Sequence, residues 1–465
     1  MPAQPYRPRD PTDSVLTQLL STHLDAFIDR AEDGPGTQGL PYFVQRQLRA
    51  MIDCGDPSRG FVRLACTQCR VSRAVPFSCK ARLCSSCSGR RMNEHAAHLV
   101  DRVLPLAPYR QWVLTLPWEL ARTVAYDAAL CSGVFAAFAA ELRSWARSRA
   151  ESQGVTGSDT GCVLEIQRFA DAGRLYPHAH ALSPDGVFVP AGDRARFHGL
   201  GPPTLEDVKA IVTATESRIH RLLDRRRRSG RVPEGSEQLD LLLSCARSPS
   251  EAVTEAQPQG LGKRPGDGKK KGKPLCARSP AGLELHAAVH VRAGDRPGLE
   301  RLCRYIARPP VPEQRLSLLP DGRYEWRLKR TWKGGVRALV YEPLDLIARL
   351  AALIPLPMTK MRRFFGVFGP AHPWRAAVVP PAPDPATSSR PVAPKRPARM
   401  AWSDLLKRVF NIDGLRCLKC SGRMLVVGVV KDPDVIEAIL AAISMSEAIR
   451  DGAATSPRGP PACVA

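Results

Sequence analysis

The sequence predicts an α+β fold in which a small cysteine-rich module precedes the main body. Three observations predict it. Runs of β character follow one another through turns at Gly173, at Asp185-Gly186 and at residues 333–335. Stretches of helical periodicity flank those runs. Two CxxC pairs, Cys66/Cys69 and Cys84/Cys87, stand ahead of the first long strand.

A chain of 465 residues has room for two or three domains, and 44% hydrophobic residues suffice for a core. The net charge of +23 points to a polyanionic partner such as nucleic acid. No apolar run is long enough to span a bilayer, so a membrane partner is not expected. The Pro- and Arg-rich start carries no apolar signal-peptide core. A cytoplasmic location is therefore expected, where the fourteen cysteines would be reduced and open to metal.

Residues 1–12 read as a polar tail. Leu16, Leu19, Leu20, Leu24 and Phe27 recur at helical spacing and predict a helix over 13–32. Pro41 starts a second helix with Phe43, Leu48 and Met51 inward. Cys66, Cys69, Cys84 and Cys87 follow, and paired CxxC knuckles at this separation predict one tetrahedral Zn²⁺ site. Cys54 and Cys79 lie close enough to replace a ligand or simply to be buried. Arg63, Arg70, Arg73, Lys80, Arg82, Arg90 and Arg91 surround the cluster and could contact phosphates.

Residues 111–117 read as a buried strand ending at a proline, 124–147 as a helix and 163–169 as a second strand with Glu165 and Gln167 on one face. Residues 175–182 contain His178 and His180. On a strand, positions i and i+2 share a face, so the two imidazoles stand side by side and can hold a divalent cation. If the two strands are neighbours, Gln167 or Glu165 supplies a third polar ligand. Asp185-Gly186 then turns into a strand at 187–189. Residues 205–228 predict a helix ending in four arginines, and 229–280 a flexible basic insertion.

A strand at 283–291 precedes a short helix at 299–307, stopped by Pro309-Pro310. That helix places Tyr305 among Arg301, Arg304 and Arg308, a positive field that attracts phosphate. Residues 324–328 and 338–341 predict a hairpin, 344–353 a helix with Pro343 at its start, and 374–398 a Pro-rich linker. The last unit carries Cys417 and Cys420, half a zinc site by themselves, then a strand at 424–430 and a helix at 433–443. The expected domains are thus 1–104, helical and zinc-binding; 105–372, catalytic, containing the insertion; a linker at 373–400; and a small unit at 401–452.

In order along the chain, Phe77-Ser-Cys-Lys80, Cys84–Cys87 with Arg90-Arg91-Met92, Arg110-Gln-Trp-Val-Leu-Thr-Leu-Pro117, Gln167-Arg168-Phe169, His178-Ala-His180 with Asp185-Gly-Val-Phe188, and Leu285-His286-Ala287 are followed by Leu302-Cys-Arg-Tyr-Ile-Ala-Arg-Pro-Pro310, Gly366-Val-Phe-Gly-Pro370 and the final Trp402, Asp413 and Cys417-x-x-Cys420. This series resembles the bacterial rolling-circle transposases of the insertion-sequence ninety-one type, within the wider HUH endonucleases. The resemblance implies a central antiparallel sheet with flanking helices. It also implies a transposase that nicks and rejoins single-stranded DNA through a 5′-phosphotyrosine at Tyr305. His178 and His180, with Gln167, would hold Mg²⁺ or Mn²⁺; Cys66, Cys69, Cys84 and Cys87 would hold Zn²⁺; and Arg301, Arg304 and Arg308 would meet DNA.

The chain departs from the family in two places. Arg301 and Pro309 stand four residues either side of Tyr305, so the single-tyrosine branch fits better than the two-tyrosine one. Phe364-Phe365 stands where Tyr-His is expected. The competing readings are a zinc-dependent DNA-binding protein, which leaves the histidines and Tyr305 without a role, and a replication initiator of the same superfamily.

Overall fold

The structure is a computed structural model that describes residues 4–6, 10–33, 39–229, 251–254, 275–332, 334–381 and 400–448. The expected insertion at 229–280 lies mostly outside the described residues, as does most of the expected linker.

Six strands form the central sheet, in the order Cys276–Arg278, Glu284–Val291, Tyr109–Thr115, Leu175–Pro184, Gly161–Phe169 and Arg362–Gly366. Every neighbouring pair is antiparallel. Strand alternation gives the sheet two chemically different faces. Trp112, Leu114, Leu164, Ile166, Ala179 and Ala181 point to one face and pack on helices Ala128–Ser152 and Leu205–Arg228 through Phe135, Phe138, Val208 and Ile219. On the other face Tyr109, Val163 and Leu182 pack on helices Ser85–Arg102 and Arg296–Ile306 through Leu99, Val100, Leu299 and Leu302. Farther along that second face the same strands carry Gln111, Gln167, His178 and His180. One half of it is therefore core and the other half is polar.

Arg168 points to the first face and ties two helices to the sheet. Its guanidinium donates to the carbonyls of Ala352 and Leu353, each at 3.2 Å, and to Ala125. These carbonyls lie in the last turns of Pro343–Leu353 and Trp118–Tyr126, where a helix has acceptors to spare and attracts positive charge.

The helix expected over 124–147 is two helices, Trp118–Tyr126 and Ala128–Ser152. Asp127 breaks it by taking an extended conformation and capping the second helix, its carboxylate accepting from the Leu130 N–H at 2.7 Å. The turn at Asp185 forms, but strand Gly186–Ala191 leaves the central sheet and pairs with Arg194–Gly199. Arg110 holds that exit point. It grips Asp185 with two bonds of 2.8 Å and donates a third to the Ala287 carbonyl.

The expected hairpin is present as Tyr324–Arg327 and Val336–Tyr341 within a four-stranded sheet. Tyr324, Trp326 and Tyr341 share a core with helices Val15–Glu32 and Pro343–Leu353. Within the segment expected at 401–452, strand Met424–Val430 pairs antiparallel with Phe61–Cys66 of the N-terminal module, which pairs with Ser72–Pro76. Among the described residues no helix is long and apolar enough to cross a membrane.

Candidate active site and cysteine clusters

The sheet register brings His178 opposite Thr115 and Gln167, and His180 opposite Val113 and Glu165. Directly opposed residues share a face, so both glutamine and glutamate flank the histidines as the alternation required. The imidazole rings are 5.0 Å apart. Burial pushes His178 down to about 4, and His180 well below its ordinary value. Both rings are consequently neutral at neutral pH, the state in which imidazole binds a metal.

The remaining bonds decide which ring nitrogens are available. His178 Nδ1 donates to the Tyr176 carbonyl at 2.9 Å, which leaves the lone pair on Nε2. The Gln111 amide lies 2.7 Å from His180 Nδ1. It is the amide nitrogen, Nε2, that faces and donates to His180 Nδ1, so His180 Nε2 carries the ring proton in the metal-free site. A metal on His180 Nε2 would require the Gln111 amide to turn and accept Nδ1–H through its oxygen. His180 Nε2 and Gln167 Oε1 are both buried and have no hydrogen-bond partner. Buried polar atoms rarely stay unpaired, so a cation between them would resolve both.

Glu165 is engaged elsewhere. Arg362 Nε donates to its carboxylate at 2.6 Å, although burial still raises the carboxyl above its ordinary value. Among the described residues the histidine pair has no third His, Cys, Asp or Glu to complete a metal site. Gln167, opposite His178, has a buried acceptor without a partner, Oε1. Its Nε2 donates to the Ile306 carbonyl at 2.6 Å, which fixes the amide and joins the second strand to the helix that carries Tyr305.

That helix, Arg296–Ile306, is capped by Asp295, whose carboxylate accepts from the Gly298 N–H at 2.8 Å. Leu299, Leu302, Cys303 and Ile306 form its buried stripe at helical spacing. Tyr305 therefore falls beside the stripe, 37% exposed, with its ring 6.1 Å from that of His180. The Arg308 guanidinium lies 4.6 Å and Lys329 Nζ 5.0 Å from the Tyr305 ring centre. Of the three arginines expected around Tyr305, Arg308 stacks on it and Arg301 is exposed, one turn earlier on the same side. Arg304 instead pairs with Glu300 at 2.6 Å.

Lys329, Gln111 and Trp118 were not singled out in the sequence. Trp118 is 42% exposed and lies parallel to Tyr176 within 12°, at a centroid distance of 6.4 Å. Tyr176 precedes the histidine pair, and its hydroxyl donates to the Leu116 carbonyl at 2.7 Å. Phe364 and Phe365 lie on edge strand Arg362–Gly366, opposite Val163 and Cys162. The bend after this strand requires Gly366: its φ is +58°, and a Cβ there would stand 1.9 Å from the Thr160 carbonyl oxygen.

The four cysteines expected to share one zinc are divided between two groups. Cys84 and Cys87 join Cys54 and Cys79, whereas Cys66 and Cys69 join Cys417 and Cys420; within each group all four sulfurs lie within 4.8 Å of one another. The physical reason is the hairpin Phe61–Cys66/Ser72–Pro76. It carries the knuckle Cys66–Cys69 at its far end and returns the chain to Cys79, beside Cys54 and the start of helix Ser85–Arg102. In the first group Cys54 and Cys87 sulfurs are 3.5 Å apart, Cys79 and Cys87 3.6 Å, and Cys54 and Cys84 3.5 Å. A disulfide is about 2 Å long, while tetrahedral zinc thiolates with Zn–S of about 2.3 Å have edges of about 3.8 Å. The spacing fits structural Zn²⁺. By contrast, burial pushes the Cys162 and Cys303 thiols up to about 12, and both are packing residues.

Two family models match this chain. One, described as "Transposase zinc-binding domain", covers residues 19–116 and so contains the whole first cysteine group. The other, described as "Putative transposase", covers residues 161–374 and so contains Gln167, His178, His180 and Tyr305. No curated protein and no solved structure matches it.

Proposed function

We propose that this chain, which its two family matches support as a transposase of the insertion-sequence ninety-one type, nicks and rejoins single-stranded DNA through a 5′-phosphotyrosine at Tyr305. It would thereby mobilise an insertion sequence by rolling-circle transposition, in the manner of the single-tyrosine HUH endonucleases. The observation that carries the reading is the half-exposed Tyr305 ring beside two neutral histidines, with two cations against it.

His178 Nε2, His180 Nε2 and Gln167 Oε1 would hold Mg²⁺ or Mn²⁺; imidazole ligands suit Mn²⁺ and tolerate Mg²⁺. When bound, the ion supplies Lewis-acid polarisation of a non-bridging phosphate oxygen. Tyr305 Oη forms the new bond to phosphorus and loses its proton, while the 3′-oxygen of the upstream strand leaves and becomes a 3′-hydroxyl. The phosphotyrosine conserves the linkage, so another 3′-hydroxyl can attack it and release the phenol without nucleotide hydrolysis. Arg308 and Lys329 favour negative charge on Oη and on the phosphate as bonds change. Arg301 meets the backbone, and Trp118 with Tyr176 offers a stacking surface for unpaired bases.

A replication initiator would share these residues and differ in the DNA it cuts. The test is cleavage of 3′-end-labelled single strands taken from element ends and from plasmid origins. Element ends should transfer the label to protein in the presence of Mg²⁺ or Mn²⁺. His178→Ala and His180→Ala should abolish transfer while leaving DNA binding within a few fold, because basic surfaces supply most of the affinity. Full-rate cleavage in EDTA would remove the metal from the account.

A further inference from the structure

We propose that Cys66, Cys69, Cys417 and Cys420 bind a second Zn²⁺, which clamps the C-terminal segment onto the N-terminal module. Cys66 and Cys420 sulfurs are 3.4 Å apart and those of Cys69 and Cys417 3.6 Å, the same spacing as in the first group. The two halves have the same backbone form. In the first, the Arg70 N–H donates to the Cys66 carbonyl at 3.1 Å, and the Cys66 N–H to the Val71 carbonyl at 2.9 Å. In the second, the Ser421 N–H donates to the Cys417 carbonyl at 3.1 Å, and the Cys417 N–H to the Gly422 carbonyl at 2.8 Å. Arg70 and Ser421, each directly after the second cysteine of its pair, have φ of 55° and 60°. Two non-glycine residues in this sparsely populated region mark two tight knuckles that aim their sulfurs at one point.

The surroundings hold the halves face to face. Met424 is paired with Cys66 in the sheet. The Thr67 N–H donates to the Arg423 carbonyl at 3.2 Å, and Arg73 donates to the Arg416 carbonyl at 3.1 Å. Nearer the start of the chain, Gln4–Pro5 pairs with Ile412–Asp413, and the rings of Tyr6 and Trp402 meet at 4.7 Å. Four thiolates on two knuckles favour zinc over harder cations. The zinc-binding family match ends at residue 116, so it does not reach Cys417 or Cys420.

The site makes the C-terminal segment part of the N-terminal module, although some 350 residues separate the two pairs. The entropic cost of so long a loop rises only logarithmically with its length, so four metal bonds can close it. This inference stands on the cysteine geometry and does not depend on the proposed DNA chemistry.

The test is metal content of the full-length reduced protein. Wild type should hold two zinc ions per chain. Cys66→Ser/Cys69→Ser, Cys417→Ser/Cys420→Ser and the quadruple variant should each hold one, because both pairs serve the same ion. Cobalt substitution keeps the question open to measurement if a serine variant fails to fold. Cys420→His, which retains four ligands, should still bind two cobalt ions but lose part of the thiolate charge-transfer absorbance. One zinc in wild type, two in the Cys417→Ser/Cys420→Ser variant, iron in place of zinc, or an unchanged cobalt spectrum in Cys420→His would each overturn the proposal.

Discussion

The rings of His180 and Tyr305 stand 6.1 Å apart and nearly perpendicular, at 87°. They come from a strand and a helix separated by more than a hundred residues, and Gln167 connects the two elements. Its side-chain nitrogen donates to the Ile306 carbonyl, next to Tyr305, while its oxygen stays free on the histidine side. One amide thus both positions the helix and faces the metal candidate.

Gln167→Ala should therefore have two separable effects. Leaving the buried Ile306 carbonyl unpaired costs on the order of 1–3 kcal/mol, visible as a lower unfolding temperature in metal-free protein. Mn²⁺ affinity, read by calorimetry, should fall as well. A loss of stability with unchanged Mn²⁺ affinity would make Gln167 a purely structural link.

Gln111 should act on the metal through His180. Gln111→Leu removes the partner of Nδ1, and loss of such an outer partner typically costs about 10–100-fold in metal affinity. Gln111→Glu, whose carboxylate can accept Nδ1–H once a metal occupies Nε2, should restore most of it. Equal Mn²⁺ affinity in wild type and Gln111→Leu would show that the ring needs no such support.

Trp118 should matter for unpaired DNA and little for duplex. Trp118→Ala should weaken binding of single strands by about 1–3 kcal/mol, the worth of one stacked base, and Trp118→Phe should retain most of the affinity. An unchanged single-strand affinity in filter binding at fixed salt would leave the Trp118–Tyr176 pair without that role.

Much of the sheet face was legible because strand alternation is a short-range rule. His178, His180, Glu165 and Gln167 could be assigned to one face from spacing alone, and the pairing of the two strands placed them together. Tyr305 was legible from its three arginine neighbours, yet the helix stripe turns Arg304 to Glu300, and of the three it is Arg308 that lies on the ring. Lys329 was not legible, because it arrives from the segment after strand Tyr324–Arg327 and no local pattern couples it to Tyr305. The cysteines misled for a related reason. CxxC pairs suggest their nearest neighbours as partners, but a hairpin between Cys66 and Cys79 moves one pair to the far end and strand Met424–Val430 brings its mate. A signal was present in the count: Cys54, Cys66, Cys69, Cys79, Cys84, Cys87, Cys417 and Cys420 make two complete sets of four.

The central claim is that Tyr305 is the nucleophile, and the most direct measurement is the identity of the DNA-linked peptide. Wild-type protein incubated with Mn²⁺ and a 3′-labelled single strand from an element end should form a covalent adduct, and mass mapping after digestion should place the DNA on the peptide containing Tyr305. Tyr305→Phe removes one oxygen and keeps the ring contacts with His180 and Arg308, so it should fold, bind the strand and form no adduct. An adduct mapped to Tyr176 or Tyr324, or one that persists in Tyr305→Phe, would contradict the account.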